Sequence, residues 1–172
     1  PAYNHIITMG EEKIINIERV GNAKKCLLNL SSEKSRNILG ELDGIRKADI
    51  YRKYPKTKTV LEGISSNLTT GFISYIHSIV LFGSYARGTA TKSSDIDILF
   101  IVADMKNAKL RESIDRTCAG YHYSHNIKVS PLITDIAEFK KMLKSGELNI
   151  GKETKEYGIS LYGSEMFWRL VA

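Results

Sequence analysis

The sequence predicts an α/β layered protein, and two kinds of segment predict it. One is a long amphipathic stretch after Thr57 in which Val60, Leu61, Ile64, Leu68, Phe72, Tyr75 and Ile76 recur at three- and four-residue steps, the period of a helix with one buried face. The other is a pair of short continuous apolar runs, Ile79–Val80–Leu81–Phe82 and Ile96 to Val102, which read as strands buried on both faces. Helices alternating with such strands stack into layers around one core.

Taken in chain order, Lys13–Arg19 and Lys24–Leu30 read as two strands joined by Val20–Gly21–Asn22–Ala23, a hairpin turn with basic rims. Ser31 or Ser32 then caps a helix from Glu33, with Ile38, Leu39, Leu42 and Ile45 on its expected buried face. Pro55 pushes Tyr54 out of helical geometry, which places a domain junction in Tyr51–Lys56. Residues 1–56 form the N-terminal module of this reading and 57–172 the main domain. The helix after Thr57 is expected to end near His77. A further helix fits Met105–Cys118, a third strand fits Asn126–Ile133, and helices fit Ile136–Leu143 and Ser164–Leu170. No internal repeat is evident.

Composition narrows the function classes. The 172 residues include 42% hydrophobic and 26% charged residues, so the chain can bury a core and is not a disordered or proline-rich protein. No apolar run approaches the roughly 20 residues of a bilayer span. The first residues lack the apolar segment of a secretory signal, so the expected compartment is the cytoplasm. Cys26 and Cys118 are too few for a disulfide scaffold and have no short-spaced partners for zinc. The net charge of +6 is uneven: residues 1–58 carry 12 Lys/Arg against 7 Asp/Glu, 59–104 carry 2 against 4, and 105–172 carry 11 against 8. A basic frame around an acidic centre suits a site that holds cations and attracts a phosphorylated partner.

The chemistry-bearing segment is Val80-Leu81-Phe82-Gly83-Ser84-Tyr85-Ala86-Arg87-Gly88, followed by Ser93-Ser94-Asp95-Ile96-Asp97-Ile98-Leu99. Gly83 and Ser84 open a tight turn at a strand end, where the backbone can approach a phosphate. Arg87, one helical turn after Ser84, can reach the same phosphate with two parallel hydrogen bonds. Asp95 and Asp97, two apart on a strand, leave one face while Ile96 and Ile98 point to the core. Two carboxylates that close need a neutralising cation, and hard oxygen ligands with open positions suit Mg²⁺. A pair of such ions can activate a hydroxyl and stabilise departing pyrophosphate. A P-loop is rejected, because no lysine follows Gly88. Tyr121–His125 reads as surface loop or strand edge.

The combined string Leu-Phe-Gly-Ser-Tyr-Ala-Arg-Gly…Ser-Asp-Ile-Asp-Ile-Leu resembles the nucleotidyltransferase superfamily of the DNA polymerase β type, in its minimal prokaryotic branch. The resemblance implies a mixed sheet flanked by helices and transfer of a nucleoside monophosphate from an NTP, with ATP the expected one, to an acceptor hydroxyl on a small molecule, an RNA end or a protein. By position, Gly83 and Ser84 would hold the triphosphate with help from Arg87, and Asp95 and Asp97 would bind one or two Mg²⁺. Gly158–Gly163 resembles a closing segment of these proteins. The superfamily usually adds a third carboxylate on a later strand, but Ile127-Lys128-Val129-Ser130-Pro131-Leu132-Ile133 holds no acid, and Ser130 stands about where one would be. The second reading is therefore a weak or inactive nucleotidyltransferase-fold regulator or nucleotide-binding module working through a partner. The N-terminal hairpin and helix resemble the wing and trailing helix of a winged helix that lacks its earlier helices, so DNA binding by this chain alone is not expected. The apolar C-terminal helix and the incomplete N-terminal module leave room for a homodimer or a partner protein.

Overall fold

The structure is a computed structural model that describes residues 2–172. Its centre is a four-stranded mixed sheet in the order β5-β4-β3-β6, formed by β3 (Ile76–Phe82), β4 (Ile96–Val102), β5 (Val129–Asp135) and β6 (Ile159–Tyr162). β3 runs antiparallel to both β4 and β6, and β4 runs parallel to β5. The α/β class and the mixed sheet flanked by helices are thus as the sequence and its resemblance implied.

Strand alternation divides the core in two. Ile79 and Leu81 of β3 join Ile96, Ile98, Phe100 and Val102 of β4 beneath α3 (Pro55–Phe72) and α5 (Ala108–His125), which supply Val60, Leu61, Ile64, Leu68, Leu110 and Ile114. On the other face Val80, Leu99 and Ile101 meet Phe139 of α6 (Ile136–Lys144) and Phe167, Trp168 and Leu170 of α8 (Ser164–Val171). Asp97 shares the parity of Leu99 and Ile101 and so belongs to this second face. Both strands are covered on both sides, which is why their apolar runs are unbroken.

Several boundaries differ from expectation. The helix after the Pro55 junction stops at Phe72, and Ile76 and His77 belong to β3, because the helical period and the strand run share those residues. α5 starts at Ala108, capped by Asn107 accepting from Leu110 N–H at 3.1 Å, and continues to His125, where Asn126 closes it in the left-handed region. Tyr121–His125 are therefore helical rather than loop or strand edge. The third strand is shifted to Val129–Asp135. A helix, α7 (Ile150–Tyr157), was not expected; Gly151 and Thr154 are its buried residues, too few and too small for a legible apolar stripe.

At the N-terminal end, α1 (Ala2–Glu11) precedes the hairpin of β1 (Ile15–Val20) and β2 (Ala23–Leu28). The expectation of a hairpin without a preceding helix is corrected: α1 buries no residue and so carries no core-facing period. α2 (Glu33–Lys53) begins after Ser32 as expected, though that side chain makes no capping hydrogen bond. Its buried face is only partly the expected one: Ile38 and Leu39 are half-buried, Leu39 against the core. Leu42 and Ile45 are 46% and 60% exposed, whereas Ser35, Asp43 and Ile50 are buried. Polar chemistry turned the helix: Trp168 Nε1 donates to Asp43 Oδ2 at 2.9 Å, Ser35 donates to Ile14 O at 3.0 Å, and Arg46 donates to Gly158 O and Tyr157 O at 2.8 and 2.6 Å. A buried polar group with its partners present is stable where an unpaired one is not.

Burial lifts the Asp43 carboxyl above its ordinary value, against the opposing pull of Trp168, the Ser160 N–H, Arg46 and Lys47. The folded protein therefore favours neutral Asp43, a contribution present below the unfolded value of 3.8 and lost as pH rises through the folded one. Wild type is expected to lose stability relative to Asp43→Asn as pH rises above 3.8. Urea titrations of the two proteins from pH 3 to 7 measure it; a difference that is flat or moves the other way refutes it.

Candidate functional site

The sheet brings the two halves of the motif together through strand register. Phe82, the last residue of β3, lies opposite Asp97 near the start of β4, so the turn that follows β3 sits directly over the carboxylate. Gly83 has φ +70°, and a Cβ there would overlap Asp97 Oδ2. Only glycine meets both demands, a left-handed backbone and no side chain. α4 (Gly83–Ala86) is a single turn, closed by Arg87 N–H donating to Gly83 O at 3.1 Å and Thr89 N–H donating to Ser84 O at 2.9 Å. Lys53 Nζ donates to Gly88 O at 2.6 Å, tying the end of the loop to α2.

Arg87 comes to the same side as the carboxylates but is engaged by Glu153 of α7 in an ion pair. Glu153 takes one nitrogen of the guanidinium, so a phosphate that used both arms of Arg87 would compete with it. Arg87 and Glu153 share a cavity of about 390 Å³ with Asn149, Lys152 and Tyr157. A cavity of about 690 Å³ between Tyr54, Tyr85, Lys56, Lys92 and Asn126 is lined by none of Gly83, Ser84, Arg87, Asp95 and Asp97. Geometry of the motif, rather than cavity size, locates the chemistry.

Two residues that sequence reasoning did not assign complete the arrangement. β5 pairs with β4 so that Ser130 lies beside Asp97, and Ile96 N–H donates to Lys128 O at 2.8 Å, which sets Lys128 beside Asp95. Lys128 Nζ is 2.5 Å from Asp95 Oδ2, and Ser130 Oγ donates to the same oxygen at 3.2 Å. Glu153, through Arg87, is the other. Neither could be assigned from the sequence, because the stagger between β4 and β5 and the packing of α7 are properties of the sheet and its neighbours.

These contacts drive the two carboxylates apart. The Lys128 hydrogen bond holds Asp95 below the ordinary carboxylate range, with Ser130 and the charges of Lys128 and His122 adding to it. Burial pushes Asp97 up, and the charges of Asp95 and Glu153 push the same way, against Arg87 and Lys128. Among the described residues no three His, Cys, Asp or Glu side chains gather around one point. β5 as formed extends to Asp135, but that acid pairs with Val102 at the opposite end of the strand and accepts from Glu138 N–H as the N-cap of α6, while Ser130 is in register with Asp97. Two carboxylates are nevertheless a fitting donor set for Mg²⁺, which commonly keeps several waters and takes one or two carboxylates plus substrate phosphates. Asp97, half-buried beside a like charge, is the carboxylate most in need of such a counter-ion.

Comparison with known proteins shows the family. The nucleotidyltransferase domain family matches residues 59–159. A Methanocaldococcus jannaschii protein named "Putative protein adenylyltransferase MJ0141" is 28% identical over 102 residues, which cover 59% of this chain and 95% of that protein. A second protein of the same description and organism, MJ1305, is 34% identical over 94 residues, covering 54% of this chain and 62% of its own length. Two toxin–antitoxin crystal structures are similar over 63% of this chain and 81% of theirs. One contains AMP-PNP (21% identity, TM-score 0.43), and the other is a mutant of MntA–HpeT (18% identity, TM-score 0.40). Because the family match spans more than half of the chain and runs unbroken from α3 through both halves of the Gly83–Asp97 motif to β6, the chain belongs to the nucleotidyltransferase domain family and is an enzyme of that class.

Proposed function

We propose that the chain moves AMP from ATP to a hydroxyl group of a protein, with Mg²⁺ held by Asp95 and Asp97. The observation that carries this reading is the seating of the Gly83 backbone on the Asp97 carboxylate, which puts a phosphate-sized turn and a cation ligand within one contact of each other. The names of the two archaeal relatives support AMP and a protein acceptor over an RNA end or a small molecule.

In this reading the triphosphate lies along the turn at Gly83 and Ser84, and Arg87 exchanges Glu153 for a phosphate oxygen. The acceptor oxygen forms a bond to the α-phosphorus as the bond to pyrophosphate breaks, and the hydroxyl proton passes to water. Magnesium supplies charge neutralisation at the phosphates when bound. The residues of the chain supply placement: Gly83 brings the turn close, Asp97 and Asp95 would hold the cation, and Arg87 fixes a terminal phosphate with a planar fork.

The test is incubation of the full chain with ATP labelled at the α-phosphate, with and without Mg²⁺, in the presence of protein from its source cells, followed by gel separation. Label on protein that needs Mg²⁺ and is absent with γ-labelled ATP supports the reading. Saturable ATP binding with no labelled product under any condition overturns it in favour of a binding module without turnover, the reading that Ser130 in place of a third acid recommends.

A further inference from the structure

We propose that Lys128 is a built-in cation of the site, occupying the place beside Asp95 that a second divalent ion would need, so that the enzyme works with one bound divalent ion per nucleotide. This rests on the metal-dependent reading above and adds to it the number of ions and the residue that sets that number.

Lys128 is held where it stands by backbone as well as charge. Its carbonyl accepts from Ile96 N–H at 2.8 Å, in the same β4–β5 pairing that puts Ser130 next to Asp97. The residue cannot slide along the strand without breaking that register. Its ammonium sits 2.5 Å from Asp95 Oδ2, and that oxygen also accepts from Ser130 at 3.2 Å. One Asp95 oxygen is therefore taken by two donors of the chain itself. A second divalent ion on Asp95 would be left the other oxygen alone and would have to stand beside the positive charge of the lysine. Asp97 carries no such donor: its charged surroundings are Asp95, Glu153, Arg87 and Lys128, and none of these makes a hydrogen bond or ion pair to it among the described residues. The two carboxylates are thus unequal: Asp97 has both oxygens open and Asp95 one, enough for a single ion shared between them.

An ammonium can do part of what a second ion would do. It has three donors, of which Asp95 uses one, leaving two for phosphate oxygens. Its charge also lets two carboxylates that share a strand face coexist before any ligand arrives. The side chain is mostly exposed, so a triphosphate in the turn can reach it.

The experiment is equilibrium dialysis of the full chain against Mn²⁺ with saturating AMP-CPP, a nucleotide that cannot release pyrophosphate, counting manganese per bound nucleotide. Wild type and Lys128→Arg are expected to hold one ion. Lys128→Ala is expected to hold a second, and without nucleotide to bind Mn²⁺ alone at least tenfold more tightly than wild type. Far-ultraviolet circular dichroism confirms that each variant is folded, and the arginine variant keeps the charge if alanine disturbs the strand. Two ions in wild type, or one in Lys128→Ala, overturns this inference and leaves the transferase reading standing. Nucleotide binding with no manganese in any variant overturns both.

Discussion

Asp97→Asn is expected to abolish Mg²⁺-dependent AMP transfer, a fall of roughly 10³-fold or more, while leaving the protein folded and no less stable. The functional loss is large because charge placed in advance beside a reacting phosphate is among the strongest contributions a side chain makes to catalysis, and removing one such group costs about 10²–10³-fold even where partners remain. Here little remains. Asp95 is already bound to Lys128 and Ser130, and the acid of β5, Asp135, lies at the far end of the strand opposite Val102. The stability half of the expectation follows from the direction in which Asp97 is perturbed. Its carboxyl is pushed up by burial and by Asp95, so the folded state favours its neutral form, and asparagine supplies a neutral group of the same shape. Labelled transfer and thermal melts of wild type and variant measure the two halves, and added Mg²⁺ with nucleotide should raise the melting temperature of wild type alone. Transfer within tenfold of wild type would remove Asp97 from the site.

Gly83→Ala is expected to cost both stability and activity, by two mechanisms that can be separated. The φ of +70° is strained for any L side chain, and a methyl group would overlap Asp97 Oδ2. Together these come to about 1–3 kcal/mol, the range for a non-glycine residue held in an unfavourable backbone region, with the steric part toward the upper end. Activity should fall further than stability, because the Asp97 carboxylate has to turn away from the phosphate turn to make room. The steric share is read by making the same change in an Asp97→Ala background. There the nearest remaining atom is the Cβ of residue 97 at 3.3 Å, and the destabilisation should shrink toward the backbone share. Equal penalties in both backgrounds would show that Gly83 is required for its dihedral alone and that its contact with Asp97 is incidental.

Much of this site was legible before any coordinates, because its parts are local. Gly83, Ser84 and Arg87 lie within five residues on a turn after a buried run, and Asp95 and Asp97 flank Ile96 at the start of β4, so spacing alone brings each group to one short segment. The same is true of the buried faces of α3, β3 and β4, where the period of the apolar residues is also the period of the backbone. Errors gathered where no local period exists. α1 buries nothing, α7 buries a glycine and a threonine, and α2 turns an aspartate inward because an indole on α8 hydrogen-bonds to it across 125 residues of sequence. The exposed Leu42 and Ile45 on α2 show the same thing from the other side: an amphipathic pattern states what a helix can bury, and its neighbours decide what it does.

The amino-acid sequence by itself determined the layered α/β class, the glycine turn after β3 and the two carboxylates two residues apart, since each depends on residue types at short fixed spacing. Tertiary structure alone decided which side chains confront those groups. The parallel pairing of β4 with β5 set Lys128 and Ser130 on Asp95, the meeting of β3 with β4 pressed Gly83 onto Asp97, and the packing of α7 brought Glu153 to Arg87. Register and packing between segments 14 to 66 residues apart are settled by hydrogen-bond ladders and by burial of the whole core, and no window of sequence short enough to carry a period contains them.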